Sequence, residues 1–200
     1  MRELVLASNN AGKLREFAQM LEPLDWRVRP QREFGVEEVP EPHPTFVENA
    51  LAKARHAAAV TGRAALADDS GLCVPLLGGA PGVHSARFAG EPKDDARNNA
   101  RLIALLNERA RTEDDRRAFF VAVLVFVRAA DDPLPVIAEG RWYGRVVSEA
   151  RGARGFGYDP HFFVPDANMT AAELDDHAKH ARSHRGQALR ELVRKLSAEG

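Results

Sequence analysis

Sulfur chemistry is almost absent from the chain: it holds one cysteine, Cys73, in 200 residues. A single thiol excludes an internal disulfide framework and suits a reducing compartment. Cys73 lies in an apolar stretch with no neighbouring base, which favours core over nucleophile. Long hydrophobic runs are missing too, and no stretch reaches the roughly 18 apolar residues of a membrane helix. The opening MRELVLASNN carries Glu3 and too short an apolar run for a signal peptide, so the expectation is a soluble, cytoplasmic protein with no membrane partner. Nor is there an excess of one charge. The 28 basic and 29 acidic residues are interspersed and leave a formal net charge of -1, which gives no sign of a nucleic-acid binder. Internal repeats and low-complexity linkers are lacking, and a chain of this length suits a single domain over 1–200, with two lobes at most.

What the chain does have is an abrupt change of character at AALADDSGLC, residues 64–73. Four small apolar residues, Ala64 to Ala67, read as a short buried strand, and Asp68, Asp69, Ser70 and Gly71 as the turn after it. Two carboxylates at a strand end can hold a hard cation such as Mg²⁺ and take a proton from water. Asp-Ser-Gly is also ordinary turn chemistry, so a purely structural role stands beside the functional one.

Upstream, Leu4 to Ala7 reads as a strand, and Ser8, Asn9, Asn10, Ala11, Gly12 and Lys13 as the turn into a helix with Leu14, Phe17, Ala18 and Leu21 on one face. The open N–H groups of a helix start and the charge of Lys13 suit phosphate; an Asn/Ser cap beside a solvated lysine is the plain alternative. The turn is not a P-loop, because Leu14 stands where Ser or Thr would be needed. Thr45 and Glu48 form a capping box for a helix to about Val60 with Gly62 as its stop. Ala50, Leu51, Ala54, Ala57 and Ala58 supply its buried stripe, and Thr45, Asn49 and Lys53 share another face. Glu41, between Pro40 and Pro42, can offer a further oxygen to a cation.

Downstream, 72–77 reads as a second strand, 78–92 as a long loop with His84, Ser85 and Arg87, and Asp94 or Asp95 as the cap of a helix. Ala118 to Arg128 reads as a central strand, and Val136 to Val147 as bent or paired strands with Trp142 packed inside. In RGARGFGYDPHFFVP, residues 151–165, glycines surround Phe156, Tyr158 and Asp159. Such a loop lets a planar ligand approach the backbone, with an aromatic face to stack on and a carboxylate to accept from ring N–H groups. An aromatic loop plug is the bland reading. Thr170 and Glu173 suggest a short helix. The final segment is amphipathic, with Lys179, Ser183, His184 and Arg185 where it begins. Cations at a helix start oppose its dipole, which argues for a ligand there.

Taken together, SNNAGK at 8–13, TFVENALAKA at 45–54, ALADDSGL at 65–72, GAPGVHSARFAG at 79–90, GFGYDP at 155–160 and SHRGQAL at 183–189 resemble the inosine/xanthosine triphosphate pyrophosphatase family. The pieces run in order across nearly the whole chain. The resemblance implies an α/β fold: a long mixed central β-sheet with flanking helices and two lobes around a deep nucleotide-binding cleft, usually as a homodimer. It implies that ITP, dITP or XTP is hydrolysed to monophosphate and pyrophosphate with Mg²⁺. By the same resemblance Ser8 to Lys13 and Lys53 meet phosphate, Asp69 is general base and metal ligand, Glu41 is a second acid at the metal, and Ser70 touches substrate. Phe156, Gly157, Tyr158 and Asp159 match the base-binding loop, Lys179 a substrate lysine, and His184 with Arg185 the pair that meets the purine. Ala178 departs from the acid expected before Lys179, and the Pro40-Glu41-Pro42 setting is stiffer than usual. Two rivals remain: a nucleotide sensor without turnover, and a pyrophosphatase for modified pyrimidine or methylated nucleotides.

Overall fold

The computed structural model describes residues 2–22 and 25–198. The N-terminal apolar run forms β1 (Arg2–Leu6), and Asn10 caps α1 (Ala11–Leu21) by accepting from the Lys13 amide. Phe17 and Leu21 are buried, whereas Ala18 is exposed at the edge of the apolar stripe. The chain returns as β2 (Trp26–Pro30), parallel to β1. Helix α2 (Phe46–Thr61) starts at the expected capping box, with Thr45 accepting from the Glu48 amide, and ends at Gly62 in the left-handed conformation that glycine adopts without strain. β3 (Ala65–Cys73), α3 (Asp95–Arg109), β4 (Arg117–Val127) and β5 (Val136–Val146) follow. The short strands β6 (Phe162–Val164) and β7 (Met169–Thr170) precede α4 (Asp176–Arg182) and α5 (His184–Ala198).

The strands form one seven-stranded sheet in the order β2-β1-β3-β4-β5-β6-β7. β1 is parallel to both β2 and β3, while β5–β6 and β6–β7 are antiparallel, so the sheet is mixed and the fold α/β, as expected. The chain divides into two compact units. The first comprises Met1–Asp69, Ala122–Gly140 and Arg185–Gly200; the second comprises Ser70–Val121 and Arg141–His184. In the first, Leu4, Leu6 and Leu66 pack with Phe17 of α1, Leu124 of β4 and Leu189 of α5. In the second, Leu72, Phe120 and Trp142 pack with Leu102 and Leu106 of α3 and Phe162 of β6. Burying such side chains supplies roughly 1.5–3 kcal/mol each before the entropy of ordering them is subtracted.

Four local expectations give way. The strand expected over 72–77 stops at Cys73, and Pro75–Leu77 wind into a short 3-10 turn in which proline occupies the first position. Asp68 to Gly71 are not a turn: β3 runs unbroken from Ala65 to Cys73, with all nine residues buried or half-buried. Residues typical of turns stay extended here because both carboxylates find cations, as described below. Residues 136–146 form one strand rather than bent or paired strands. Gly144 within it permits close approach, since a Cβ there would lie 2.4 Å from the Phe163 carbonyl oxygen. Thr170 does not open a helix, although Glu173 accepts from its amide. Its hydroxyl donates to the Arg151 carbonyl at 2.7 Å, so the capping oxygen is engaged elsewhere, and the next helix, α4, starts later, at Asp176 with Asp175 as its cap.

Candidate active site

In the first unit the sheet itself sets the position of the acids. β1 ends at Leu6, opposite Leu66 of β3, whereas β3 continues to Cys73. Asp68 and Asp69 therefore lie past the end of β1, where the chain turns through Ser8, Asn9 and Asn10 into α1. Open α/β sheets gather ligands outside the carboxyl ends of their strands. Strand alternation sends Leu66 and Asp68 to one face and Ala65, Ala67 and Asp69 to the other, so the two neighbouring acids serve different surroundings.

Asp68 is buried, and both its oxygens are held. Oδ1 accepts from Lys13 Nζ at 2.6 Å and Oδ2 from Arg185 Nε at 2.7 Å. Arg185 Nη1 also pairs with Glu16. Burial by itself would raise the Asp68 pKa, but the Arg185 and Lys13 charges reverse this and hold the carboxyl far below the usual range. Arg185 is pushed the other way. Burial would lower its pKa, and Asp68 and Glu16 raise it beyond the ordinary value. Lys13 ends below its normal value, because burial and the nearby Lys53 and Arg185 cations outweigh Asp68.

Asp69 meets one cation. Lys53 Nζ donates to Asp69 Oδ1 at 2.9 Å, to Glu41 Oε1 at 2.8 Å and to the Asp68 carbonyl at 3.0 Å, so all three ammonium protons are used. Burial lowers the Lys53 pKa, but Asp69 and Glu41 more than offset that, and it is raised. Burial raises the Asp69 pKa, Lys53 opposes it, Glu41 reinforces it, and the net direction is up. Its second oxygen, Oδ2, is buried and has no hydrogen-bond partner among the described residues. A buried carboxylate oxygen in that state is suited to a proton, a water or a cation. Asn9 Oδ1, in the turn after β1, is likewise buried without a hydrogen-bond partner among the described residues and, as an amide oxygen, is suited to a donor or a cation.

The second unit holds the other group of expected residues. Gly155 and Gly157 have positive φ, 77° and 63°, and between them Phe156 donates its amide to Asp159 Oδ2 at 2.9 Å. Lys179, buried on α4, donates to the same oxygen at 2.7 Å, and its Nζ lies 5.2 Å from the centroid of the Phe156 ring. Tyr158 points inward: it is buried and its hydroxyl donates to the Ser85 carbonyl at 2.8 Å. Burial and the charge of Asp95 raise its pKa. His184 is buried too and stacks on Phe120, ring centroids 4.8 Å apart and 12° from parallel. A Cβ on Gly155 would lie 2.0 Å from Asp159 Oδ2. Gly155→Ala is therefore expected to lower stability by roughly 1–3 kcal/mol, the usual cost of forcing a side chain into that backbone region, measured as a fall in the urea midpoint.

Asp69, Glu41 and Lys53 thus come together in the first unit, as do Lys13, Asp68 and Arg185. Phe156, Gly157, Tyr158, Asp159, Lys179 and His184 belong to the second, as does Ser70, which follows Asp69 on β3. Arg185 was expected at a purine, and here its Nε and Nη1 are engaged by Asp68 and Glu16. Glu16, Asp95 and Asn99 carry no functional signal in the sequence. Glu16 is on α1 close after Lys13, but nothing in sequence ties it to Arg185. Asp95 has the look of a helix cap, although Asp94 is the cap, and Asn99, one turn further on the same helix face, has no local signature.

A family model described as the Ham1 family matches residues 4–195. The chain is 61% identical over 194 residues to a protein of Aromatoleum aromaticum named dITP/XTP pyrophosphatase, covering 97% of this chain and 96% of that one. It is 61% identical over 196 residues to a protein of the same name from Chromobacterium violaceum, covering 98% of each. Among solved structures it resembles a HAM1 protein from Coxiella burnetii, with 46% identity, a TM-score of 0.91 and coverage of 99% of this chain and 100% of that one. A nucleoside-triphosphatase / dITP/XTP pyrophosphatase from Mycobacterium abscessus matches with 41% identity and a TM-score of 0.75, over 96% of this chain and 98% of that one.

Proposed function

The chain belongs to the Ham1 family, and from that premise we propose that it hydrolyses non-standard purine nucleoside triphosphates, ITP, dITP and XTP, to the monophosphate and pyrophosphate. The observation that carries the reading is Asp69: a buried carboxylate with one oxygen on Lys53, the other without a partner among the described residues, and a raised pKa. A base so tuned takes a proton from water closer to neutral pH than an ordinary aspartate does. Asp69 Oδ2 accepts the proton of the attacking water as the α–β anhydride bond breaks. Lys13, with the helix start at Ser8 to Gly12, neutralises the phosphates, and Lys53 does so by exchanging a protein oxygen for a phosphate oxygen.

The donor set also fits Mg²⁺. Among the described residues no group of three or more His, Cys, Asp or Glu forms a metal cage. Asp69 and Glu41 meet on one ammonium, and a cation held by one or two carboxylates, with substrate phosphates completing its shell, is the usual magnesium arrangement. Bound there, Mg²⁺ would supply charge stabilisation at the phosphates.

The base falls to the second unit. Phe156 offers a face to the ring, Asp159 an acceptor for its N–H edge, and Lys179 and His184 donors for O6, with Ser70, Gly157 and the Tyr158 backbone completing the substrate contacts. Arg185 contributes chiefly by holding Asp68 and Glu16, and any donation to O6 is shared with that task. A 6-amino group in place of the carbonyl sets donor against donor, which supports an ITP preference over ATP of about tenfold or more. On the same premise the protein is a homodimer of the cytoplasm that engages nucleotides rather than nucleic acid or membrane. No described helix is long and apolar enough to cross a membrane.

The test is pyrophosphate release with Mg²⁺ across ITP, dITP, XTP, GTP, ATP and dUTP, with light scattering for the dimer. Preference for the 6-oxo purines ITP, dITP and XTP is expected. Binding of ITP without pyrophosphate release would make the protein a sensor, and preference for dUTP would move it to pyrimidine substrates.

A further inference from the structure

The loop that presents Phe156 and Asp159 is gripped from outside by one helix. Gly157 donates its amide to Asp95 Oδ2 at 2.7 Å, and its carbonyl accepts from Asn99 Nδ2 at 2.8 Å. Asp95 and Asn99 stand one turn apart on α3 and so share a face. The orientation of the Asn99 amide is fixed by chemistry, because its nitrogen also donates to the Asp95 carbonyl at 2.9 Å and both partners are acceptors only. The grip falls on the two peptide groups that flank the Cα of Gly157, a residue whose φ is 63° and which follows Phe156 directly.

We propose that Asp95 and Asn99 are positioning residues for base recognition: together they hold the two peptide groups on either side of the Gly157 Cα and so set the Phe156 ring and the loop backbone for the purine. This rests on the reading of 155–159 as the base loop. Both residues belong to the same unit as the loop, so their loss acts on binding and discrimination and leaves the hydrolytic step alone. A loop ordered before the ligand arrives spares the ligand the entropy of ordering it, and losing that preorganisation shows in KM.

Asp95 is exposed, and Asp94 rather than Asp95 caps α3, so Asp95→Ala leaves the helix its cap. Asp95→Ala and Asn99→Ala are expected to raise KM for ITP about tenfold with kcat within about twofold, and to narrow the ITP-over-ATP ratio of kcat/KM. Asp95→Asn keeps an acceptor oxygen for the Gly157 amide and should restore most of the wild-type KM. Equal losses for ITP and ATP, an unchanged KM in Asp95→Ala, or no rescue by Asp95→Asn would overturn the positioning role. If Asn99→Ala fails to fold, the two Asp95 variants decide the matter. A wild type that does not discriminate ITP from ATP overturns the base-loop reading as well. A discriminating wild type beside an equally discriminating Asp95→Ala overturns the positioning role alone.

Discussion

Asp68→Asn is expected to destabilise the protein by about 3–5 kcal/mol, the scale for removing one partner from a buried charge network. The carboxylate is buried between two cations, Lys13 on Oδ1 and Arg185 on Oδ2. An asparagine keeps the shape and one acceptor, but it turns an amide donor towards one of those cations and leaves their charge uncompensated. Glu16 retains a hold on Arg185, so the variant still folds, with a lower urea midpoint at pH 7. The pH dependence has a definite sign. The folded-state pKa of Asp68 is depressed below its ordinary 3.8, so its contribution is present in full above that value and is lost as pH falls below it. Wild-type stability should therefore fall steeply on acidification, and Asp68→Asn should show a shallower acid limb. A loss below about 1 kcal/mol would mean the ion network contributes little net stability.

Much of this architecture is legible in the sequence because local rules and global packing agree. The Thr45/Glu48 capping box and Gly62 bound α2 in the structure as the pattern requires, and the apolar run near 118–128 becomes a central strand. The sequence misleads where long-range charge overrides local preference. Asp-Asp-Ser-Gly reads as a turn, and it stays strand because Lys13, Lys53 and Arg185, none of them nearby in the chain, converge on its two acids. The Thr170/Glu173 pattern fails because the threonine hydroxyl is engaged by Arg151. Asn99 and Glu16 carry no local signature, since what matters about each is a backbone group or a guanidinium brought near only by the fold.

Asp69→Asn is expected to lower kcat for ITP by at least ~10²-fold while leaving the protein as stable as the wild type or slightly more so. The two halves of that expectation come from the same geometry. Burial and Glu41 raise the Asp69 pKa despite Lys53, so in the folded protein its ionised form is disfavoured relative to the unfolded chain. A group with a raised carboxyl pKa favours folding most at low pH and loses that contribution as pH rises through the folded pKa; a neutral amide removes this dependence. Lys53 keeps Glu41 and the Asp68 carbonyl when Asp69 is neutralised, so no ammonium is stranded. In the proposed mechanism catalysis has no such reserve, because Oδ2, without a hydrogen-bond partner among the described residues, is the oxygen that would take the proton. Wild-type kcat/KM should rise as pH rises through the raised Asp69 pKa, and the Asn variant should lose that limb along with its activity. The measurement is pyrophosphate release against pH for both proteins, alongside thermal unfolding. Near-wild-type kcat in a folded Asp69→Asn protein would remove Asp69 from the chemistry. A large fall in melting temperature would instead place Asp69 with Asp68 as a structural ion, and the division of labour between the two faces of β3 would fail.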